Sequence, residues 1–207
     1  MGVTDRVDRS LGVGDLAPDF ELPAADVDGT ISLAEYRRRG PVLLILLRGL
    51  YCPFCRRSIS LLRPTCEALR SAGIALLGIV IASPERARQY FRHFPPCFPM
   101  AAAPDRRIHR AYGLSETIRT PEFRQHTEEK AAEALRELGL DAPAGQAGVA
   151  FLKWDGFEMT PEDEAEWKRP LQSGGYFLVM PDGAIRWARV DQRIGPPPTV
   201  AEILPLV

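Results

Sequence analysis

The sequence predicts an α/β fold built around a sheet with buried parallel strands. Two continuous apolar runs, residues 42–47 and 74–81, lie next to glycine or proline, a pattern typical of strands buried on both faces. Between them, residues 56–72 carry apolar side chains at helical spacing and end before a glycine. This strand–loop–helix–strand order predicts a right-handed crossover. Residues 176–190, interrupted by Pro-Asp-Gly, add a predicted β-hairpin.

Short extended pieces are predicted ahead of the first apolar run. Residues 13–23 contain two prolines, which resist helix formation. Residues 28–30, Asp-Gly-Thr, form a turn signal between two extended segments. Ser32, followed three residues later by Glu35, matches a capping box, so we expect a short helical turn that begins with a side-chain cap.

Further helices are predicted after the second apolar run. Proline follows Ser83 at the position where a helix begins, and Thr160 precedes an acidic segment that it is placed to cap. The proline-rich residues 95–99 must form a loop. The helical patterns lie at residues 84–91, 105–112, 121–139 and 160–167, with a short one near Thr199.

Composition and charge exclude several classes of protein. The chain has 207 residues, 45% of them hydrophobic and 26% charged, which excludes collagen-like and mostly disordered proteins. Because 26 Lys and Arg nearly balance 27 Asp and Glu, we expect no binding to nucleic acid or to an anionic membrane. Residues 1–14 lack the apolar run of a signal peptide, and residues 41–47 are too short to span a bilayer. We expect a soluble, cytoplasmic protein.

Two of the four cysteines carry the chemistry of the sequence. Cys52 and Cys55 form a C-x-x-C motif between the first apolar run and the following helix. Cys52 is predicted near the N-cap and Pro53 at the first helical position, so unpaired N–H groups and the helix dipole would stabilise a thiolate there. Arg48 and Arg56 add positive charge, which also lowers a thiol pKa. Half of a zinc site or a structural dithiol remain open alternatives.

Several segments together resemble one family. They are residues 14–22, the Arg-Gly-x-x-Cys-Pro-x-Cys motif at 48–55, Phe-Pro-Met at 98–100, Asp105, residues 111–114 and the hairpin at 175–190. Together they resemble the alkyl hydroperoxide reductase/thiol-specific antioxidant (AhpC/TSA, peroxiredoxin) family. The likeness covers residues 11–114 and 173–207. It implies one thioredoxin-like domain over residues 1–207, with a helical insertion at about 115–172.

The resemblance also implies site residues. The family's attacking cysteine ends a Pro-x-x-x-Thr-x-x-Cys pattern, and alignment on that cysteine selects Cys55. Cys52 then occupies the threonine position and Arg48 the proline position. Residues 173–175, Ser-Gly-Gly, occupy the stretch where the family has a late arginine.

The first functional hypothesis is therefore a thiol peroxidase. Cys55 would attack a hydroperoxide, Cys52 would condense with the resulting sulfenic acid, and an external thioredoxin-like or low-molecular-weight thiol would reduce the disulfide. Arg48 and Arg56 would stabilise the thiolate, and no metal or organic cofactor is needed. The resemblance also suggests a homodimer.

Two other hypotheses remain. A thioredoxin-like disulfide reductase or isomerase would use Cys52, the first cysteine of C-x-x-C, as its nucleophile. A non-catalytic binding module would use residues 115–172 as its functional surface and the dithiol only as a redox sensor.

The remaining polar and sulfur groups are expected to be less specific. Cys66 is predicted to pack in the core, and Cys97 to be a loop cysteine without a specific role, with a remote resolving thiol as the alternative. His109 flanks arginines and is expected to face solvent. The acidic residues 162–166 are expected to form a solvated face, since they lack the spacing of a calcium loop.

Overall fold

A five-stranded mixed sheet forms the centre of the protein, within residues 9–191 and 194–207, which the computed structural model describes. The strands are β1 (Glu21–Pro23), β2 (Thr30–Ser32), β3 (Val42–Leu47), β4 (Ala75–Val80), β5 (Met100–Ala102), β6 (Glu116–Thr117), β7 (Leu171–Gln172), β8 (Gly174–Val179) and β9 (Ile185–Asp191). The central sheet has the order β5-β4-β3-β8-β9. β3 pairs in parallel with β4, and β4 with β5, whereas β8 is antiparallel to both β3 and β9. The predicted α/β class and late hairpin are confirmed.

Helices cover the sheet and extend the chain beyond it. They are α1 (Leu33–Arg37), α2 (Pro53–Leu61), α3 (Arg63–Ser71), α4 (Pro84–His93), α5 (Arg107–Ala111), α6 (Pro121–Glu137), α7 (Ala147–Leu152), α8 (Pro161–Lys168) and α9 (Val200–Ile203). Among the residues that the structure describes, no helix combines the length and apolar character needed to cross a membrane.

β3 lies at the centre of two hydrophobic layers. All six of its side chains are buried, as its unbroken apolar sequence predicts. Alternate residues beginning at Leu43 pack with side chains from α2, α3 and α4, and those beginning at Val42 pack with side chains from α1 and α5. The end of β3 is therefore held rigidly, and the loop that follows it starts from a fixed point.

The prediction of a single helix over residues 56–72 is wrong, because the structure has two helices there with a break at Leu62. In a continuous helix the ring of Pro64 would clash with the carbonyl group of Ser60, and its nitrogen could not donate to that group. The chain restarts instead, with Pro64 in the first turn of α3. Gly73, at a φ of +78°, follows the end of α3 as the sequence predicts.

Helix capping confirms some of the predicted boundaries. Ser83 Oγ accepts the backbone N–H of Arg86 at 3.2 Å, and Thr160 forms a capping box with Asp163 at the start of α8. The capping box predicted at Ser32 is wrong. α1 does begin after Ser32, but the serine side chain makes no capping hydrogen bond.

The solvated face expected of the acidic residues 162–166 is only half present, because Glu162 and Glu164 are exposed whereas Asp163 and Glu166 are not. Asp163 is buried and pairs with Arg86 at 2.8 Å, and Glu166 pairs with the fully buried guanidinium group of Arg106. Because both arginines belong to the part of the chain before residue 115, these ion pairs attach α8 to the sheet-bearing core. Solvated carboxylates could not have been distinguished from docked ones by composition alone.

His109 is also buried, which corrects its expected solvent-facing position. Its ring Nε2 lies 2.9 Å from the carbonyl oxygen of Leu47 at the end of β3. Burial lowers the pKa of His109 to about 4, and the charges of Arg106 and Arg110 act in the same direction. The imidazole is therefore neutral near pH 7, and its Nε2–H donates to the Leu47 carbonyl.

This buried imidazole predicts a loss of stability in mild acid. A histidine with a folded pKa of about 4 and an unfolded pKa of about 6.5 stabilises the fold fully above about pH 6.5, and this contribution is lost as the pH falls toward 4. At about pH 5 the loss should be about 2 kcal/mol.

Urea unfolding of wild type and of His109→Gln, at about pH 7 and about pH 5, measures the contribution of His109 to the free energy of unfolding. Groups elsewhere in the protein titrate in both proteins. The difference in unfolding free energy between wild type and His109→Gln therefore changes with pH only through His109. We expect the wild-type advantage to shrink by about 2 kcal/mol at the lower pH. A constant difference between the chains would contradict a neutral buried imidazole.

Candidate active site

Cys52 occupies the N-cap position of α2, directly after the loop that leaves β3. Its backbone is extended, with φ −87° and ψ 109°, and Pro53 begins the helix as predicted. The first turn of α2 carries unpaired N–H groups and the positive end of the helix dipole. Cys55 lies within that turn, three residues after Cys52 and near its side chain. Sequence spacing alone brings this pair together.

The pKa values of the two thiols are shifted in opposite directions. A hydrogen bond from the Cys55 thiol lowers the pKa of Cys52 to about 6, and the charge of Arg48 helps against the cost of burial. The same hydrogen bond and burial raise the pKa of Cys55 well above its usual value. Near neutral pH, Cys52 is therefore the thiolate and Cys55 the thiol that donates to it.

Arg48 is the cation that faces both thiols. Its side chain is buried, and its Nη2 donates to the carbonyl oxygen of Asp191 at 3.1 Å. Burial opposes the positive charge, but Cys52, Cys55 and the Asp191 carboxylate raise the pKa of Arg48 above its usual value. Its Nε has no hydrogen-bond partner among the residues that the structure describes. Arg48 therefore remains charged and has a free donor beside the thiolate.

Asp191 is a site residue that sequence reasoning missed. It ends β9 opposite Gly174 in the β8–β9 register, and that register brings it beside Arg48. Burial raises the pKa of the Asp191 carboxyl group to about 6, against the opposing charges of Arg48 and Arg189. A carboxylate at the end of a hairpin strand has no local sequence signal, because its neighbours in space come from a strand far away in the chain.

Gly174 lies at a point where β8 passes very close to the backbone of β3. A Cβ atom on Gly174 would lie 2.8 Å from the carbonyl oxygen of Leu46 and 3.9 Å from Cγ of Arg48. The backbone oxygen cannot yield, so a larger residue would displace β8 from β3. Gly174 thus allows β8 to pair closely with β3 where Arg48 leaves that strand.

Arg56, the other predicted thiolate-stabilising cation, has different main partners. Its fully buried guanidinium group pairs with Asp155 at 2.7 Å and donates to the carbonyl oxygens of Leu50 and Leu152, each at 2.6 Å. It also lies 4.0 Å from the centre of the Phe157 ring. Arg56 lowers the pKa of Cys52 less than Arg48 does. Its contacts attach residues 150–157 to α2.

A cavity of about 390 Å³ opens beside Cys52. Its walls come from the start of α2 and from helices α6, α7 and α8, so residues 115–172 form most of its enclosure. Apolar side chains dominate the lining, among them Phe123, Val149 and Trp167. Trp167 packs edge-to-face on Tyr51, with ring centres 5.9 Å apart.

Cys55 faces a different and much smaller space. It lines a crevice of about 20 Å³ together with Asp191 and Tyr176. A molecule entering the large cavity therefore meets Cys52 first.

Residues 13–137, more than half of the chain, match the model of the AhpC/TSA family. The chain belongs to the AhpC/TSA family. Two Mycobacterium tuberculosis proteins, one from each of two strains, carry the provisional name peroxiredoxin and are 32% identical to it over 103 residues. The alignment covers 50% of this chain and 64% of each relative, so it spans slightly less than two thirds of their length.

Solved structures show the same fold for this AhpC/TSA chain. The peroxidoxin BcpB of Mycobacterium tuberculosis is similar with a TM-score of 0.58 and 12% identity, covering 89% of this chain and 88% of its own. AhpC of the same organism has a TM-score of 0.58 and 15% identity, with coverages of 95% and 91%. A Chlorobium tepidum protein provisionally described as thiol:disulfide interchange protein DsbE has a TM-score of 0.55 and 17% identity, with coverages of 95% and 94%. The fold is thioredoxin-like, as the resemblance implied.

The alternative of a zinc half-site receives no further ligands from this AhpC/TSA fold. Within residues 9–191 and 194–207, no group of three or more His, Cys, Asp or Glu side chains is arranged to hold a metal ion. Cys66 and Cys97 lie together elsewhere, where the Cys66 thiol donates to the Cys97 carbonyl oxygen.

Proposed function

We propose that this AhpC/TSA protein is a thiol peroxidase that reduces hydroperoxides through a Cys52/Cys55 dithiol. One observation carries the proposal: of two neighbouring thiols at the start of α2, one has a lowered pKa and the other a raised pKa, and the thiol with the lowered pKa borders the large cavity. A thiolate nucleophile with an adjacent thiol is what peroxide reduction followed by disulfide formation requires.

We assign attack to Cys52 and resolution to Cys55. Alignment with the family motif favoured the reverse order. Three features support our assignment: the lowered pKa of Cys52, its N-cap position and its access to the cavity. Cys55, with a raised pKa and a narrow crevice, is better suited to a second step within the protein.

Peroxide reduction would proceed in two steps, one at each cysteine. The Cys52 thiolate attacks the distal oxygen of the hydroperoxide, the O–O bond breaks, and the alkoxide takes up a proton from solvent and leaves as an alcohol. Cys52 is then a sulfenic acid. Cys55 loses its proton and attacks Cys52 Sγ, which releases water and forms the disulfide. Asp191, in the same crevice as Cys55 and with a pKa raised to about 6, is suited to accept that proton and to pass it to the departing hydroxide, which leaves as water.

Arg48 supplies the electrostatic stabilisation in this scheme. Its charge lies beside the attacking thiolate, and its Nε is available to donate to a peroxide oxygen as negative charge develops there. Because the side chain is buried, its interactions are weakly screened by water.

The apolar cavity favours organic hydroperoxides over hydrogen peroxide. A volume of about 390 Å³ lies within the range of small-molecule sites, and its aromatic and aliphatic lining offers burial to a hydrocarbon body. Hydrogen peroxide gains nothing from such walls.

The catalytic cycle ends when an external thiol, thioredoxin-like or of low molecular weight, reduces the Cys52–Cys55 disulfide. A cytoplasmic location and a homodimer belong to the same proposal.

The test compares hydroperoxide reduction with disulfide reduction. Purified protein should consume cumene hydroperoxide in the presence of dithiothreitol, with a higher kcat/KM than for hydrogen peroxide. One equivalent of hydroperoxide, added without a thiol, should remove two hydrogens from the intact mass, at Cys52 and Cys55. If neither hydroperoxide is consumed and no mass is lost, the peroxidase proposal is wrong.

Disulfide reduction is the second candidate. The lowered pKa of Cys52, the first cysteine of C-x-x-C, also suits attack on a disulfide. Insulin reduction that depends on Cys52, without hydroperoxide consumption, would select this activity. A dithiol that supports neither turnover would favour the redox-sensing binding module.

Arg48→Gln should raise the pKa of Cys52. Removing a buried cation beside a thiolate shifts a pKa by about 1 unit or more. The pH dependence of iodoacetamide alkylation in the Cys55→Ser background should therefore move upward, and Arg48→Lys should restore part of the shift. Arg57→Gln serves as the matched control, because Arg57 pairs with the exposed Glu137. Equal profiles for Arg48→Gln and Arg57→Gln would contradict the role of Arg48.

A further inference from the structure

A second pair of thiols lies away from the active site. Cys66 is on α3, and Cys97 is in the proline-rich loop between α4 and β5. The Cys66 thiol donates to the backbone carbonyl oxygen of Cys97 at 2.9 Å, which places the two cysteines side by side. Both thiols are free. The expectation that Cys66 is in the core is confirmed, but Cys97 has a thiol neighbour that 31 residues of sequence separation concealed.

Two arginines of α3 hold the loop against the helix. Nη2 of Arg70 lies 2.6 Å from the Cys97 carbonyl oxygen and 3.3 Å from Cys66 Sγ. Nη2 of Arg63 donates to the carbonyl oxygen of Pro95 at 3.4 Å. Prolines in the loop restrict its backbone, so Cys97 is held near Cys66 rather than meeting it by chance.

This pair has no part in the proposed peroxidase steps. Neither Cys66 nor Cys97 lines the cavity beside Cys52 or the crevice beside Cys55. The break at Leu62 also separates the helix that carries Cys66 from the helix that begins at Cys52.

We propose that Cys66 and Cys97 are a second disulfide-forming site, oxidised by low-molecular-weight disulfides. Cys97 is the entry thiol, because it is half-buried whereas Cys66 is almost completely buried. The Cys97 thiolate attacks a disulfide RSSR, breaks its S–S bond and releases RS⁻, which leaves a mixed disulfide on Cys97.

Cys66 completes the exchange. Its sulfur attacks Sγ of Cys97 and expels the second RS⁻, so a Cys66–Cys97 bond replaces the mixed disulfide. The leaving thiolates take up the protons of the two cysteines. Overall, two protein thiols are oxidised and one RSSR is reduced to two RSH. Burial raises the pKa of Cys66 to about 11, so Cys66 stays a thiol in the resting protein, and the neighbouring charges of Arg70 and Arg63 stabilise its thiolate as the proton leaves in the second step.

The resulting bond links the loop after α4 to α3. It closes a loop of the chain between residues 66 and 97 and therefore restricts the unfolded state. The oxidised protein should have a higher Tm than the reduced protein, and dithiothreitol should reverse the difference.

The experiment uses the full chain with Cys52→Ser and Cys55→Ser, so that the proposed active site cannot contribute. Incubation with oxidised glutathione should remove two hydrogens from the intact mass, and peptide mapping should recover Cys66 joined to Cys97. In the same background, Cys66→Ser should accumulate one glutathione on Cys97, and Cys97→Ser should remain unmodified. No mass change, or a lasting glutathione adduct on Cys97 while Cys66 is present, would overturn the second site.

The wild-type chain separates this inference from the proposed function. After exhaustive oxidation by oxidised glutathione it should lose four hydrogens, two at each pair. Loss of two hydrogens at Cys52–Cys55 alone leaves the peroxidase proposal standing and overturns the second site. Loss at Cys66–Cys97 alone supports the second site and counts against the active-site dithiol.

Discussion

Cys52→Ser is expected to lower hydroperoxide reduction by about a thousandfold or more, because the hydroxyl group of serine cannot replace a thiolate nucleophile. Cys55→Ser should behave differently. It retains the attacking thiolate, so one equivalent of hydroperoxide is consumed rapidly and Cys52 remains a sulfenic acid. Single-turnover kinetics, with dimedone trapping of the sulfenic acid and peptide mapping, measure both results.

The two substitutions are matched, since both replace a buried sulfur of one C-x-x-C motif with oxygen. Part of the stabilisation of the Cys52 thiolate comes from Cys55, so Cys55→Ser should also raise the pKa of Cys52 unless the new hydroxyl donates equally well. Dimedone labelling of Cys55 in Cys52→Ser, with rapid hydroperoxide loss, would reverse our assignment and restore the order implied by the family motif.

Asp155→Ala is expected to lower the free energy of unfolding by about 3–5 kcal/mol, because it leaves the buried charge of Arg56 without its carboxylate. The guanidinium group is fully buried and Asp155 is almost so, with Nε and Oδ2 2.7 Å apart. The carboxylate also accepts the backbone N–H of Phe157 at 3.2 Å. Urea unfolding at neutral pH measures the change.

Glu137→Gln is the matched control for Asp155→Ala. It removes the carboxylate partner of Arg57, the residue next to Arg56, but this pair is exposed on its acidic side. Exposed ion pairs contribute little, so the loss should stay below about 1 kcal/mol. Similar losses for the two variants would show that the Arg56–Asp155 pair is no more important than a surface pair.

The Asp155 substitution should also affect the cavity. Asp155 follows α7, and α7 forms part of the wall beside Cys52. Loosening this segment should raise KM for cumene hydroperoxide more than for hydrogen peroxide, since only the larger substrate depends on the apolar wall. Equal changes for both substrates would count against a substrate role of that wall.

The strands of the central sheet could be predicted because their signal is local. A strand buried on both faces needs consecutive apolar residues, and residues 42–47 and 75–80 satisfy this requirement. Helix α2 begins at Pro53 for an equally local reason, since proline is tolerated only in the first turn. The end of α2 could not be read from the apolar pattern, which continues without interruption through residues 60–62. Pro64 breaks the helix there in spite of that pattern.

In the candidate site, too, features set by neighbouring residues could be predicted, and features set by distant segments could not. The proximity of Cys52 to Cys55 and to Arg48 follows from a spacing of a few residues after a strand. Asp191 could not be predicted, because strand pairing across the sheet brings it to Arg48. Arg56 was predicted as a charge near the thiols, but its partner Asp155 is 99 residues away in sequence.

The sequence by itself determined the α/β class, the dithiol at a helix start and the cation beside it, since each depends on neighbours within about one helical turn. Only the tertiary structure decided which thiol is acidic and which cavity it borders. It also paired Cys66 with Cys97 and buried His109. These properties depend on burial and on charges from distant segments, and both arise only when the chain is packed.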